Sequence, residues 1–105
     1  MATLHYFEKQ IAGDRPVLVD FYEHKCDPCR IACHSVDGIK KAVGEKAKVL
    51  KIDLSKSPNF IDEFNIYGVP CFIIFMNGKI HWKHIGILNT AELLEQLELA
   101  IDEVQ

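Results

Sequence analysis

The dipeptide Asn77-Gly78 limits the possible folds of this chain more than any other feature of the sequence. Residues 69–76 before it and residues 79–85 after it are rich in the apolar and β-branched types that favour strands. Asn and Gly adopt the positive φ angles of the two-residue type I′ turn, which joins adjacent antiparallel strands. The pattern therefore predicts an antiparallel β-hairpin, and the fold must contain a sheet that accommodates it.

The rest of the chain alternates helical and extended patterns, and their order determines the fold class. The predicted elements before and after the hairpin are a helix capped by Thr3 and ended by Gly13, a strand over residues 17–22, a helix over about residues 29–43, a strand over residues 48–54, a short helix opened by Pro58, and a last helix capped by Asn89 or Thr90. Strands joined through a helix run parallel, whereas the hairpin adds antiparallel members. We therefore predict an α/β fold with a mixed sheet and helices on both of its faces.

Two of the predicted helices have an apolar face at helical spacing. In the long helix this face comprises Ala32, Val36, Ile39 and Val43. In the last helix it comprises Leu94, Leu97 and Ile101. Gly38 lies inside the long helix and predicts a bend or a close packing contact at that point.

The composition excludes several classes of protein. The chain has 105 residues, of which 49% are hydrophobic, so we expect residues 1–105 to form a single domain with its own core. The net charge of −3 argues against binding to nucleic acid or to an anionic membrane. The longest apolar run, residues 69–76, is too short to span a bilayer. The first residues lack the pattern of a secretory signal, so we expect a cytoplasmic protein.

Cys26 and Cys29 form a Cys-x-x-Cys motif where the first predicted strand meets the long helix. A helix N-terminus presents unsatisfied N–H groups and the positive end of the helix dipole, so it stabilises a Cys26 thiolate. Cys29 lies one turn further on, close enough to form a disulfide with Cys26. Pro28 fits the first helical turn, where its missing N–H costs nothing. This spacing and position are typical of a redox-active dithiol.

Asp20 stands in the middle of the first predicted strand, between apolar residues. A buried carboxylate is costly unless it is protonated or paired, and burial raises the carboxyl pKa towards the range useful for moving thiol protons. Its closeness in sequence to Cys26 favours a role in proton transfer. The alternative is a purely structural pair between Asp20 and Lys51.

Six motifs occur in a recognisable order and spacing along the chain: residues 17–21, Cys26-Asp27-Pro28-Cys29, Lys51, Gly68-Val69-Pro70, Asn77-Gly78 and Gly86. In these motifs, residues 16–101 resemble the thioredoxin family. The resemblance implies a thioredoxin-like fold and a thiol–disulfide oxidoreductase that reduces disulfides in protein substrates. It also implies an upstream reductase, similar to thioredoxin reductase, that regenerates the dithiol. Neither a cofactor nor a metal ion is expected.

The resemblance also implies roles for four catalytic residues. Cys26 corresponds to the exposed nucleophile and Cys29 to the buried resolving thiol. Asp20 corresponds to the acid beneath them that accepts and donates protons, and Lys51 to the lysine beside that acid.

A second set of residues is expected to bind substrate. Pro70 falls at the cis-proline position of the family, next to the disulfide. The backbone of Val69 is expected to bind an extended substrate segment as an added strand. Gly86 corresponds to the glycine that leaves room for substrate side chains. Asp27 and Pro28, between the two cysteines, are expected to contact the partner, with Asp27 selecting it by charge.

The sequence departs from the family pattern at several positions. Lys25 replaces the tryptophan that usually precedes the first cysteine, so partner choice is expected to differ. His34 replaces the usual helix-kinking proline, which is expected to move the bend to Gly38. The N-terminus is about six residues shorter than the family pattern. The sheet is therefore expected to have four to five strands, with the first edge strand shortened or missing.

Two further cysteines leave alternative functions open. Cys33 and Cys71 are either small packing residues or additional chemical groups near the dithiol. One alternative is a zinc- or iron–sulfur-binding variant, with zinc ligands drawn from Cys26, Cys29, Cys33 and His34, although no second Cys-x-x-Cys motif supports it.

Asp27 and Lys25 favour another alternative, because their charges can select a partner. It is a partner-specific peptide-binding module with little general reductase activity, in which the groove beside Pro70 captures an extended segment of the partner.

Overall fold

The computed structural model describes residues 3–104 and follows the predicted order of elements. Its helices and strands are α1 (Leu4–Ile11), β1 (Val17–Tyr22), α2 (Asp27–Val43), a 3₁₀ turn (Gly44–Lys46), β2 (Lys48–Asp53), α3 (Asn59–Phe64), β3 (Cys71–Met76), β4 (Lys79–Ile85) and α4 (Thr90–Glu103). The Thr3 hydroxyl accepts a hydrogen bond from the amide of Tyr6 at 3.1 Å, and the Asn89 side chain caps α4 in the same way through Glu92. In the described part of the chain, no helix has both the length and the apolar character needed to cross a membrane.

The four strands form one mixed sheet in the order β2-β1-β3-β4. β1 and β2 are parallel, whereas β3 is antiparallel to both β1 and β4. The hairpin predicted at Asn77-Gly78 is present, and both residues have positive φ angles. Within residues 3–104 no strand precedes α1, so β2 is an edge of the sheet there. The expected α/β architecture with four strands is confirmed.

Two apolar clusters pack the helices against opposite faces of the sheet. On one face, α2 and α4 contribute Val36, Ile39, Leu93 and Leu97, which pack on Leu18 of β1. On the other face, α1 and α3 pack through a group of phenylalanines comprising Phe7, Phe21, Phe60, Phe64 and Phe75. β1 contributes to both clusters because successive residues along a strand point to opposite faces of the sheet.

The boundaries of two elements differ from the prediction. α2 begins at Asp27, two residues before the predicted start, because Cys26 itself caps the helix. β3 begins at Cys71 and not at residue 69, since Pro70 has no N–H for a ladder hydrogen bond.

The predicted apolar face of α4 is confirmed and is wider than expected. Leu94 packs against the same core cluster as Leu97 and Ile101, although it is partly exposed, and Leu93 and Ala100 are buried beside them.

One packing prediction for α2 was wrong. Gly38 is exposed, and a Cβ atom at this position would meet nothing within 4 Å, so no close contact requires glycine there. α2 continues as a helix through His34 and Gly38.

Candidate active site

Cys26 and Cys29 form a disulfide at the N-terminus of α2, with Cα atoms 5.2 Å apart. Cys26 is the N-cap residue, and its Sγ accepts a hydrogen bond from the amide of Cys29 at 3.2 Å. Cys26 is partly exposed, whereas Cys29 is 2% exposed. The helix end therefore directs N–H groups at the sulfur that an outside molecule can reach, which favours a thiolate at Cys26 once the disulfide is reduced.

Charged side chains surround a cavity of about 520 Å³ beside the disulfide. Its lining includes Cys29 and five residues with acidic or basic side chains: Glu23, His24, Lys25, Asp27 and Arg30. Asp27 and Arg30 are ion-paired across one turn of α2, and both side chains are mostly exposed. The positive charge of Arg30 therefore partly balances the negative charge of Asp27. This ion pair was not predicted from the sequence.

Asp20 lies in β1 and is 0% exposed. Neither of its carboxylate oxygens has a hydrogen-bond partner among residues 3–104. Burial raises the pKa of Asp20 to about 7; the positive charge of Lys51 opposes this shift, and the negative charge of Asp37 adds to it. Near neutral pH this carboxyl group can therefore either hold or release a proton, as proton transfer requires.

Lys51 lies opposite Asp20 in the sheet but does not pair with it. Its ammonium group lies 2.5 Å from the Asp37 carboxylate, and it also approaches the Cys33 thiol. The hydrogen bond from Lys51 holds the pKa of Asp37 below its usual value. A purely structural Asp20–Lys51 pair, the alternative left open by the sequence, is therefore wrong, because Lys51 acts on Asp20 only through its charge.

The loop before β3 brings the expected substrate-binding residues close to one another. The Val69–Pro70 peptide bond is cis, and the Pro70 carbonyl accepts a hydrogen bond from the amide of Gly86 at 2.8 Å. Gly86 has a φ angle of 104°, which favours glycine. Pro28 and Pro70 line one small apolar cleft together with Ile31 and Ile87. The site thus combines residues from the disulfide turn, the cis-proline loop and the end of β4.

The exposed members of this cleft were not identified from the sequence. Ile31 is 71% exposed and Ile87 is 74% exposed. A signal was present for Ile31, because it is an apolar residue of α2 that lies outside the buried stripe of that helix. Asp37 gave no such signal, since its contact with Lys51 depends on how α2 packs over β2.

The two remaining cysteines have different environments. Cys71 is 0% exposed, and burial raises the pKa of its thiol to about 11, so it is a packing residue. Cys33 is free and partly exposed, so it is not a fully buried packing residue, which was one of the two alternatives for it. Among residues 3–104, no three His, Cys, Asp or Glu side chains are grouped to hold a metal ion.

Comparison with known sequences identifies the family. The Thioredoxin family profile matches residues 1–99. This chain belongs to the thioredoxin family. Its fold also matches that of a mutant thioredoxin from Halobacterium salinarum, with a TM-score of 0.86, 23% identity, and coverage of 96% of this chain and 88% of that one.

Two curated relatives give the extent of the thioredoxin match. "Thioredoxin" of Rickettsia felis is 34% identical over 96 residues, which cover 90% of this chain and 91% of that protein. "Thioredoxin Y, chloroplastic" of Oryza sativa is 36% identical over 90 residues, or 86% of this chain, which spans about half (54%) of that relative. Together with the Cys26–Cys29 pair, these relatives support a thiol–disulfide oxidoreductase.

Proposed function

We propose that this thioredoxin reduces disulfides in protein substrates through Cys26 and Cys29. One observation carries the proposal: a disulfide stands at the N-terminus of α2, and one of its sulfurs is accessible while the other is buried. An accessible sulfur can attack a substrate, and a buried partner one helical turn away can release it. Asp20, buried with a pKa of about 7, supplies a group for the accompanying proton transfer.

The reaction begins with the reduced dithiol. The Cys26 thiolate attacks one sulfur of a substrate disulfide, the substrate S–S bond breaks, and the departing substrate thiolate takes a proton. The Cys29 thiol then loses its proton to the Asp20 carboxylate and attacks the Cys26 sulfur of the mixed disulfide. This step forms the Cys26–Cys29 disulfide and releases the second substrate thiolate, which is also protonated. The substrate gains two electrons, and the protein loses them.

Substrate binding is assigned to the residues around the disulfide. The backbone of Val69 hydrogen-bonds an extended substrate segment as an added strand, and Pro70 and Pro28 contact its side chains. Gly86 has no side chain, so a substrate segment can approach the backbone there. Lys51 tunes Asp20 by its charge, and Asp27 discriminates among partners at the exposed surface of α2.

The other assignments follow from the same proposal. An upstream reductase of the thioredoxin-reductase type returns two electrons and two protons to the disulfide. Lys25, which stands where the family usually has tryptophan, is expected to alter which reductase and which substrates are accepted. We assign residues 1–105 to a single domain and the protein to the cytoplasm, where the free thiols of Cys33 and Cys71 would stay reduced.

Two serine variants test the proposal. Wild type, Cys26→Ser and Cys29→Ser are assayed for reduction of insulin, with dithiothreitol as the electron donor. Wild type should accelerate the reaction, and Cys26→Ser should not exceed the rate without protein. In a separate incubation, Cys29→Ser is reduced, freed of dithiothreitol and mixed with insulin; it should accumulate a mixed disulfide with insulin through Cys26, visible by mass spectrometry. A wild-type rate equal to that of Cys26→Ser rejects the reductase, and the absence of a trapped disulfide rejects Cys29 as the resolving thiol.

A further inference from the structure

Lys83 of β4 makes contacts that the reaction described above does not use. Its Nζ donates hydrogen bonds to the backbone carbonyls of Phe64 and Asn65, each at 2.8 Å. These carbonyls lie at the C-terminal end of α3, where the helix leaves carbonyl groups without intrahelical partners and where a cation is favoured. No carboxylate pairs with Lys83 among the described residues; its ammonium group is held by these two carbonyls, and its charge also acts on the buried Cys71 thiol, whose pKa it lowers against the effect of burial.

Lys83 thereby holds one end of the loop that connects α3 to β3. Asn65 has the left-handed φ and ψ angles of 53° and 53°, so the chain turns sharply where Lys83 binds it. Further along, a Cβ atom at Gly68 would lie 2.7 Å from Cγ2 of Ile85, so the loop runs close against β4. At the far end, the amide of Gly86 donates to the Pro70 carbonyl. All three contacts come from the C-terminal half of β4 or the residue after it.

The same lysine also contacts an exposed ring. The Nζ of Lys83 lies 5.6 Å from the centre of the Tyr67 ring, within the range of a cation–π interaction. Tyr67 is 84% exposed, and it lies two residues before Val69. A large aromatic side chain held in this way is available to a partner and loses little freedom on binding one.

We propose that Lys83 is a positioning residue for substrate binding: it fixes the loop of residues 65–70 against β4 and holds the Tyr67 ring as a contact for an apolar side chain of the substrate protein. The inference rests on the proposed function, because it assumes that the Val69 backbone binds substrate. The inference adds two points to that function. The substrate has an apolar residue beside its extended segment, and Lys83 acts through the loop and not on the reacting sulfurs.

The test compares a protein disulfide with a small uncharged one. Wild type, Lys83→Met and Lys83→Arg are assayed with insulin, and dithiothreitol supplies the electrons. Dithiothreitol reduces 2,2′-dithiodipyridine directly, so for that disulfide each protein is first reduced and freed of dithiothreitol, and the rate of its oxidation is followed in a single turnover. Lys83→Met should raise the KM for insulin about fivefold and leave kcat near the wild-type value, because the lost interactions orient the substrate and not the sulfurs. The rate with dithiodipyridine should stay unchanged. Lys83→Arg, which keeps the charge and the donors, should restore most of the affinity.

Lys79→Met is the matched control, because Lys79 lies on the same strand, is exposed and has no side-chain partner among residues 3–104. It should retain the wild-type KM. Tyr67→Ala should also raise the KM for insulin. In the double variant with Lys83→Met, the KM should rise by less than the product of the two single increases. An unchanged KM in Lys83→Met overturns the proposal, and so does an equal loss of rate with insulin and dithiodipyridine.

Amide hydrogen exchange separates this inference from the proposed function. The amides of Asn65 and Ile66 both donate to the Ile61 carbonyl, next to the groups that Lys83 binds. Their exchange should accelerate at least threefold in Lys83→Met and not in Lys79→Met. If wild type does not reduce insulin, the reductase proposal fails while exchange still tests the loop contact. Unchanged exchange at both amides rejects Lys83 as the residue that holds the loop.

Discussion

Lys51 stands directly opposite Asp20 on the neighbouring parallel strand, yet its ammonium group lies 2.5 Å from the carboxylate of Asp37 on α2. The Lys51 charge is therefore held at the protein surface, while Asp20 is 0% exposed and lacks a hydrogen-bond partner among residues 3–104. Burial lowers the pKa of Lys51, but the hydrogen bonds and charges of Asp37 and Cys33 outweigh that effect and raise it. The Asp37 charge raises the pKa of Asp20, and Asp37 also pairs with the Lys51 ammonium group, whose charge lowers that pKa.

The first prediction follows from this arrangement. Asp37→Asn should lower the pKa of Asp20 below the wild-type value of about 7, because it removes a negative charge that raises this pKa and frees Lys51 to approach. The measurement is a pH titration of the Asp20 carboxyl carbon by NMR. Asp102→Asn, a change at an exposed position of α4, should leave the titration unchanged. An Asp20 pKa equal to or above that of wild type in Asp37→Asn contradicts the prediction.

The second prediction concerns stability against pH. The pKa of Asp20 rises from 3.8 to about 7 on folding, so its contribution to stability is fully present below pH 4 and is lost as the pH rises to about 7. Asp20→Asn cannot ionise and avoids this loss. Relative to wild type, the variant should gain on the order of 3–4 kcal/mol in unfolding free energy between pH 4 and pH 8. Guanidinium unfolding of the two oxidised proteins measures their unfolding free energies. If the free energy of Asp20→Asn differs from that of wild type by the same amount at every pH from 4 to 8, Asp20 does not ionise in this range.

Sequence patterns were sufficient for the parts of this fold that depend on local chemistry. The hairpin at Asn77-Gly78, the Thr3 cap and the position of the Cys26–Cys29 pair at a helix start each depend on neighbouring residues, and the structure has all of them. The raised pKa of Asp20 was also predictable, because an acid in the middle of an apolar strand is buried by the sheet on which it lies.

Features that depend on how distant elements pack could not be predicted in this way. The sequence places Asp37 and Lys51 on different elements and gives no measure of their separation, so the ion pair between them was missed. The contact between Lys83 and the end of α3 was missed for the same reason, because β4 and α3 are separate elements of the sequence. The burial of Leu93 beside Leu97 and Ile101 was also missed, because the orientation of α4 depends on the neighbouring α2 and on the sheet, not on the apolar pattern alone.

The third prediction separates the two free cysteines. In the oxidised protein at pH 8, iodoacetamide should add one carbamidomethyl group, at the partly exposed Cys33. Cys71 should not react, because it is buried and its pKa of about 11 leaves roughly one thiol in a thousand ionised. Peptide mass spectrometry locates the group, and both thiols should react in guanidinium. Modification of Cys71 in the folded protein contradicts its assignment as a packing residue.

The fourth prediction compares two glycines by the space around them. Gly68→Ala should lower the unfolding free energy by about 1–3 kcal/mol, because the new Cβ would lie 2.7 Å from Cγ2 of Ile85 and one of the two segments must shift. Gly38→Ala is the matched substitution in open space: it adds a methyl group inside the exposed face of α2 and should raise stability by about 0.5–1 kcal/mol. Chemical unfolding at one pH measures both. A Gly68→Ala protein at least as stable as wild type would show that contact with Ile85 does not decide the outcome.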